Sequence, residues 1–106
     1  MENAAALVPP RVVHVRKAPF DLYIGRAYPG FTESKWHNPF HLRDPNDIGE
    51  RYRVAAQYKQ HVRSRADLVA ALPELSGLTL GCWCRPKYPC HGDMLVELFT
   101  ELVMGK

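Results

Sequence analysis

Cysteine, histidine and aspartate crowd one short stretch, "LGCWCRPKYPCHGD" (80–93). It holds all three cysteines of the chain and one of its five histidines. Cys82, Cys84, Cys90 and His91 form C-x-C-x5-C-H, and their donor types suit a tetrahedral Cys3His zinc site. The spacing suits it less well. Structural zinc sites favour C-x2-C knuckles, and the adjacent Cys90 and His91 diverge unless the backbone turns sharply. A second reading is reactive: Cys90, His91 or Asp93 would do the chemistry at the start of a helix. Cys90 beside His91 would be a nucleophile–base pair, although sequence neighbours rarely meet in that geometry. At the helix start the dipole lowers thiol pKa values and Gly92 lets an anion approach. The third is a packed turn with Trp83 in the core, since free cysteine is among the most buried residue types. All three stay open.

A second constellation is "YIGRAYPGFTESKWHNPFHL" (23–42). Gly25 and Arg26, directly after a strand-like run, can present backbone N–H groups and a guanidinium to a phosphate. Trp36 can stack on a base or sugar and Asn38 can read an amide-like edge. The plain alternative is that Asn38-Pro39 starts a turn while Trp36 and Phe40 plug the loop onto the core. His37 and His41 flank that turn.

The elements that must hold these groups follow from patterning. "RVVHVRK" (11–17) alternates Val13 and Val15 against Val12, His14 and Arg16, and "LYIG" (22–25) forms a second short strand. The four-residue break between them suggests a hairpin, with an open pair as the alternative. Asp47 can cap a helix in which Tyr52, Ala55, Tyr58 or Lys59, and Val62 recur at near-helical spacing. "SRAD" (64–67) resembles a capping box opening a short second helix, limited by Pro73. "LTLGCW" (78–83) is a central strand. A last helix starts near His91 or Gly92, with Met94 or Leu95, Leu98, Phe99 and Leu102 inward and Asp93 at its positive end. The expected fold is therefore a small single α/β domain, β-β-α-α-β-α. A short mixed sheet of about three strands packs with three helices over residues 11–106, after a flexible leader at 1–10.

Composition bounds the rest. A chain of 106 residues, 46% hydrophobic, makes one domain. No apolar run approaches the roughly 20 residues that span a bilayer, and the start lacks the basic n-region of a signal peptide. The expected setting is cytoplasmic, with an odd cysteine count that favours reduced thiols. The net charge is +3 but uneven. Residues 11–65 carry eleven Lys or Arg against five Asp or Glu, a balance of +6, and the remainder to the C-terminus is −2. A basic first half suits a nucleotide or nucleic acid partner. Walker, dinucleotide-binding, zinc-protease, hydrolase and zinc-deaminase signatures are absent.

The stretches "YIGR", "SKWHNPF" and "LGCWCRPKYPCHGDMLVEL", in this order, resemble a family of small uncharacterised domains, a "domain of unknown function" family frequent in bacteriophages and bacteria. The resemblance runs from about Arg11 to Leu98. It implicates Gly25, Arg26, Asn38, Pro39, Cys82, Trp83, Cys84, Cys90, His91, Gly92 and Asp93, and it implies a phage origin. His37 stands where the family pattern has glycine. The family brings no settled activity. Two functions follow as expectations. The first is a phage-encoded cytoplasmic protein, enzyme or not, whose cleft takes a nucleotide-like or phosphate-bearing ligand or nucleic acid. There Gly25, Arg26, Trp36, Asn38 and Gly92 would bind and Cys90, His91 and Asp93 would do any chemistry. The second is an adaptor, zinc-stabilised through Cys82, Cys84, Cys90 and His91 or metal-free, that docks a host or phage protein.

Overall fold

A computed structural model describes residues 7–44, 46–83 and 90–105. The elements in chain order are strand β1 (Arg11–His14), strand β2 (Leu22–Tyr23), helix α1 (Ile48–Arg63), helix α2 (Ala66–Ala71), a 3-10 turn (Leu72–Leu75), strand β3 (Thr79–Cys82) and helix α3 (His91–Leu98). A π-helical segment, Phe99–Met104, follows directly. The α/β class, the three strands and the three helices are those expected from patterning.

The strand directions are not. β1 and β2 form no hairpin. β3 lies between them in the order β1-β3-β2, and both pairings are parallel rather than mixed. Val12 and Leu22 both register with Leu80, while Val13 and Tyr23 register with Gly81. Strands that run parallel in one sheet need a crossover connection, usually a dozen or more residues with a helix. Here residues 15–21 suffice because the strands are so short. Val15 N–H donates to the Cys82 carbonyl (3.0 Å) as the chain leaves, and Asp21 N–H donates to the Thr79 carbonyl (2.8 Å) as it returns. The Asp21 carboxylate also accepts from Thr79 N–H (2.8 Å).

The crossover brings the Phe20 ring directly over Gly81. A Cβ at position 81 would sit 2.6 Å from the ring, closer than real carbon contacts allow. Gly81 is thus the opening through which the crossover passes. On this face Phe20, Tyr23 and Phe31 form an aromatic layer, with the Tyr23 and Phe31 ring centroids 4.5 Å apart. The opposite face, with Val12, Leu22 and Leu80, joins the main core.

α3 packs on that core face through Gly92, whose absent Cβ would lie 2.9 Å from Val12 and 3.0 Å from Ile24. α1 packs against α3. Its N-cap is Asp47, as expected, accepting from Glu50 N–H (3.1 Å). The buried face of α1 differs from the expected one. It is Glu50, Val54, Ala55, Tyr58 and Val62, and Tyr52 is 61% exposed. Ala55, Tyr58 and Val62 are inward as expected, and the stripe 50-54-58-62 at four-residue steps takes Glu50 and Val54 in place of Tyr52. The "SRAD" capping box is also corrected. Arg65 is the N-cap of α2 without a side-chain bond, and Asp67 is held by the Arg65 guanidinium at 2.8 and 2.9 Å. Ser64 closes α1 instead, its hydroxyl donating to the His61 carbonyl (2.8 Å). Lys59 bridges Glu97 and Glu101, so the acidic edge of α3 and its extension is bound to α1.

The account of Gly81 predicts that Gly81→Ala destabilises the domain by about 1–3 kcal/mol through overpacking. Combining it with Phe20→Ala should recover part of that loss, as read by a urea-denaturation double-mutant cycle. Additive losses would place the constraint elsewhere.

Candidate functional site

The carboxyl ends of β2 and β3 face the same open end of the sheet, where parallel α/β folds place their ligand crevices. A cleft of about 540 Å³ lies there, within the range of small-molecule sites. Tyr23, Gly25, Arg26 and Tyr28 come from β2 and the loop after it, and Asn38, Phe40, His41 and Leu42 from further along that loop. Arg51, Val54 and Ala55 come from α1, and Trp83, Cys90 and His91 from the β3–α3 region. Both motif stretches thus contribute to one concavity. Cys84 lies outside the described residues.

At the back wall, α3 begins with Cys90 as its N-cap. The Cys90 sulfur accepts from Gly92 N–H (3.3 Å), and the Asp93 carboxylate accepts from Cys90 N–H (3.0 Å), closing a capping box. Desolvation pushes the Asp93 pKa up, opposed by that backbone bond. His91 is 8% exposed, and its Nε2 lies 2.7 Å from the Ile24 carbonyl oxygen. A carbonyl only accepts, so Nε2 carries the proton. Burial pushes the imidazole pKa down to about 4, against the pull of the Ile24 carbonyl and with a smaller push from the Arg26 and His37 charges. The ring is therefore neutral near pH 7, with its Nδ1 lone pair 3.9 Å from the Cys90 sulfur. Its edge meets Tyr58, with centroids 5.1 Å apart.

The sulfurs are close. Cys82 and Cys90 Sγ are 3.0 Å apart, too far for a bond of about 2.05 Å. Both sulfurs are buried, Cys82 at 1% and Cys90 at 5% exposure. Of the four expected zinc ligands, Cys82, Cys90 and His91 are together and Cys84 is outside the described residues. Among the described residues no group of three or more His, Cys, Asp or Glu side chains is arranged to hold a metal ion.

The long loop forming the other wall is held from both sides. From β2, Arg26 donates through Nε to the Asn38 carbonyl (2.9 Å) and through Nη2 to the Phe40 carbonyl (2.6 Å). From α1, the buried Glu50 carboxylate accepts from Asp44 N–H (2.8 Å) and Arg43 N–H (3.1 Å). Those two bonds, Asp44 first, hold its pKa below the usual carboxylate value. Asn38 turns the loop by accepting from Phe40 N–H across Pro39 (2.9 Å). Trp36, expected to stack on a ligand, is 1% exposed in the core. Its carbonyl accepts from the buried Tyr58 hydroxyl (2.8 Å), and it does not line the cleft. Gly92, expected to admit an anion, is consumed by packing on Val12 and Ile24. His37 sits in the turn without positive φ, so this backbone needs no glycine there.

Gly25 has a separate reason to be glycine. The Tyr23 ring folds back so that its hydroxyl would lie 2.3 Å from a Cβ at position 25. That hydroxyl donates to the Arg26 carbonyl (2.6 Å) and accepts from Trp83 Nε1–H (2.9 Å). Trp83 also has Tyr28 at 4.9 Å, Phe31 edge-on at 5.6 Å and the Arg16 guanidinium at 5.2 Å over its ring. Tyr28 is 51% exposed, so an outward aromatic surface rests on the Trp83 ring. The residues that motif reading missed are Tyr28, which no spacing signals, and Glu50, which the 50-54-58-62 stripe reveals.

Fold and cleft together define a small α/β domain with an arginine- and aromatic-lined crevice at its strand ends. By comparison with known sequences, the chain belongs over residues 11–101 to the family described as Domain of unknown function (DUF4326). It is 33% identical over 90 residues to an "Uncharacterized protein R718" of Acanthamoeba polyphaga mimivirus, covering 74% of this chain and 66% of that protein. It thus spans just under two thirds of that relative's length. It is 32% identical over 96 residues to an "Uncharacterized 12.4 kDa protein in nrdA-td intergenic region" of Enterobacteria phage T4, covering 87% of this chain and 79% of that one. No solved structure matches. Among the described residues no helix is long and apolar enough to cross a membrane.

The His91 environment predicts a pH dependence. The unfolded imidazole titrates near 6.5 and the folded one at about 4, so between these values only the unfolded state binds the proton. Stability is full above pH 6.5 and falls as pH drops toward 4, by up to about 1.4 kcal/mol per pH unit and on the order of 3 kcal/mol in all. Urea midpoints of wild type and His91→Gln across pH 7 to 4 check this, with a flatter profile expected for the variant.

Proposed function

We propose that this viral-type domain binds a phosphate-bearing, nucleotide-like ligand in the cleft at its strand ends. The observation that carries the reading is the lining itself. Arg26, Arg51 and His41 share one crevice with Tyr28, Phe40 and Trp83, and among the described residues no carboxylate lines it. Guanidinium groups match phosphate geometry, and an exposed aromatic face offers a base or an adenine-like ring a stacking surface. Tyr28, backed by Trp83, takes the role that Trp36 cannot fill from the core. Arg26 serves twice, shaping the loop while its guanidinium borders the ligand space. Cys90 and His91 close the back wall, and Asp93 acts through the helix cap. A phage or other viral origin agrees with the mimivirus and T4 relatives.

A thermal-shift panel of nucleoside mono-, di- and triphosphates and ADP-ribose-like compounds tests the reading, followed by calorimetry on any hit. A stabilising ligand is expected, with Tyr28→Ala weakening it roughly 5- to 150-fold, the range for losing one stacked base. Arg51→Ala should weaken phosphorylated ligands far more than the free nucleoside. No shift across the panel would overturn the reading in favour of a protein-binding adaptor.

A further inference from the structure

The cations of the described residues differ in their partners. Lys35, Lys59, Arg63 and Arg65 each contact a carboxylate, of Glu74, Glu97 and Glu101, Glu101, and Asp67 respectively. They are neutralised where they stand. Arg16, Lys17 and Arg43 make no ion pair among the described residues. Arg16 lies 5.2 Å over the ring of Trp83, Lys17 is its neighbour in the turn after β1, and Arg43 follows Leu42 in the cleft wall. Arg11, also without an ion pair among the described residues, borders a different pocket, while Arg16 and Arg43 stand beside the crevice that Arg26 and Arg51 line.

A mononucleotide needs one phosphate clamp, which the cleft interior already offers. Cations spread beyond the interior, beside a solvent-facing aromatic, match a backbone that carries several phosphates. Trp83 has its surroundings occupied by Arg16, Tyr28, Phe31 and His14, so stacking falls to Tyr28. A base reaches Tyr28 only when unpaired. We infer that the physiological ligand is single-stranded nucleic acid. One unpaired base would lie on Tyr28 with its phosphate in the cleft, and neighbouring phosphates would meet Arg16, Lys17 and Arg43. This inference rests on the ligand reading above and narrows it from nucleotide to polymer.

Fluorescence anisotropy of the full chain with fluorescein-labelled single-stranded oligothymidylate and oligouridylate of about twelve nucleotides tests it. A duplex of equal length and thymidine monophosphate serve as competitors. One single strand, deoxy or ribo, should bind at least about tenfold tighter than the monophosphate and the duplex at low salt. The double variant Arg16→Ala/Lys17→Ala should lower the slope of log affinity against log salt by about 1.4, the loss of two single-strand phosphate contacts. Its affinity for the monophosphate should stay unchanged. Binding of the monophosphate with no gain from the polymer, an equal affinity for duplex, or an unchanged salt slope would overturn the inference and leave the nucleotide reading standing. Binding of neither monomer nor polymer would overturn both.

Discussion

The bond from His91 Nε2–H to the Ile24 carbonyl (2.7 Å) is the contact on which this architecture turns. Ile24 lies just beyond β2, and its carbonyl lies past the last ladder pair, where a sheet would otherwise leave an acceptor unsatisfied. His91 is the first residue of α3. One neutral, buried imidazole therefore satisfies a strand-end carbonyl, fixes where α3 begins and seals the back of the cleft. Leaving that carbonyl without a partner in a buried setting would cost about 1–3 kcal/mol. Gly92 makes the arrangement possible, because any side chain there would push α3 away from Val12 and Ile24. The capping box of Cys90 and Asp93 then fixes the same helix start from outside.

The front of the cleft depends on a second pair of anchors. Among the described residues of the loop 26–47 there is no helix or named strand, and such length calls for fastening. Arg26 reaches forward to two loop carbonyls and Glu50 reaches back to two loop N–H groups. Trp36 nails the middle into the core. The crevice is thus rigidly walled, while Tyr28 remains outward on a cushion of Trp83. Charge follows the same plan: carboxylates pair with Lys59, Arg63 and Arg65, and among the described residues none enters the crevice lining.

Much of this was readable in the residues. Alternation marked the three strands, four-residue periodicity marked the helices, and Asp47 marked a cap, since these signals are local. The strand order was not readable. Two short strands separated by a brief break usually pair with each other, and only the Phe20–Gly81 contact, distant in sequence, reveals that β3 comes between them. The motifs pointed to one end of the sheet but misassigned roles within it. Trp36 and Gly92 carry the residue types of a binding site, yet burial gives them to packing. Glu50 hid for the opposite reason, because a carboxylate on an inward helical stripe reads as surface until its two N–H partners are seen.

The family assignment gives the chain relatives in a giant virus and in a phage, and the cleft gives it an anion-friendly, aromatic crevice. The crevice depends on α3 being docked at the end of β2 through an uncharged ring. Long-range proton–nitrogen NMR of the His91 imidazole tests that directly. The account predicts the neutral Nε2–H tautomer at pH 7, with a titration midpoint near 4. An Nδ1–H tautomer, or a midpoint at the ordinary value near 6.5, would contradict it.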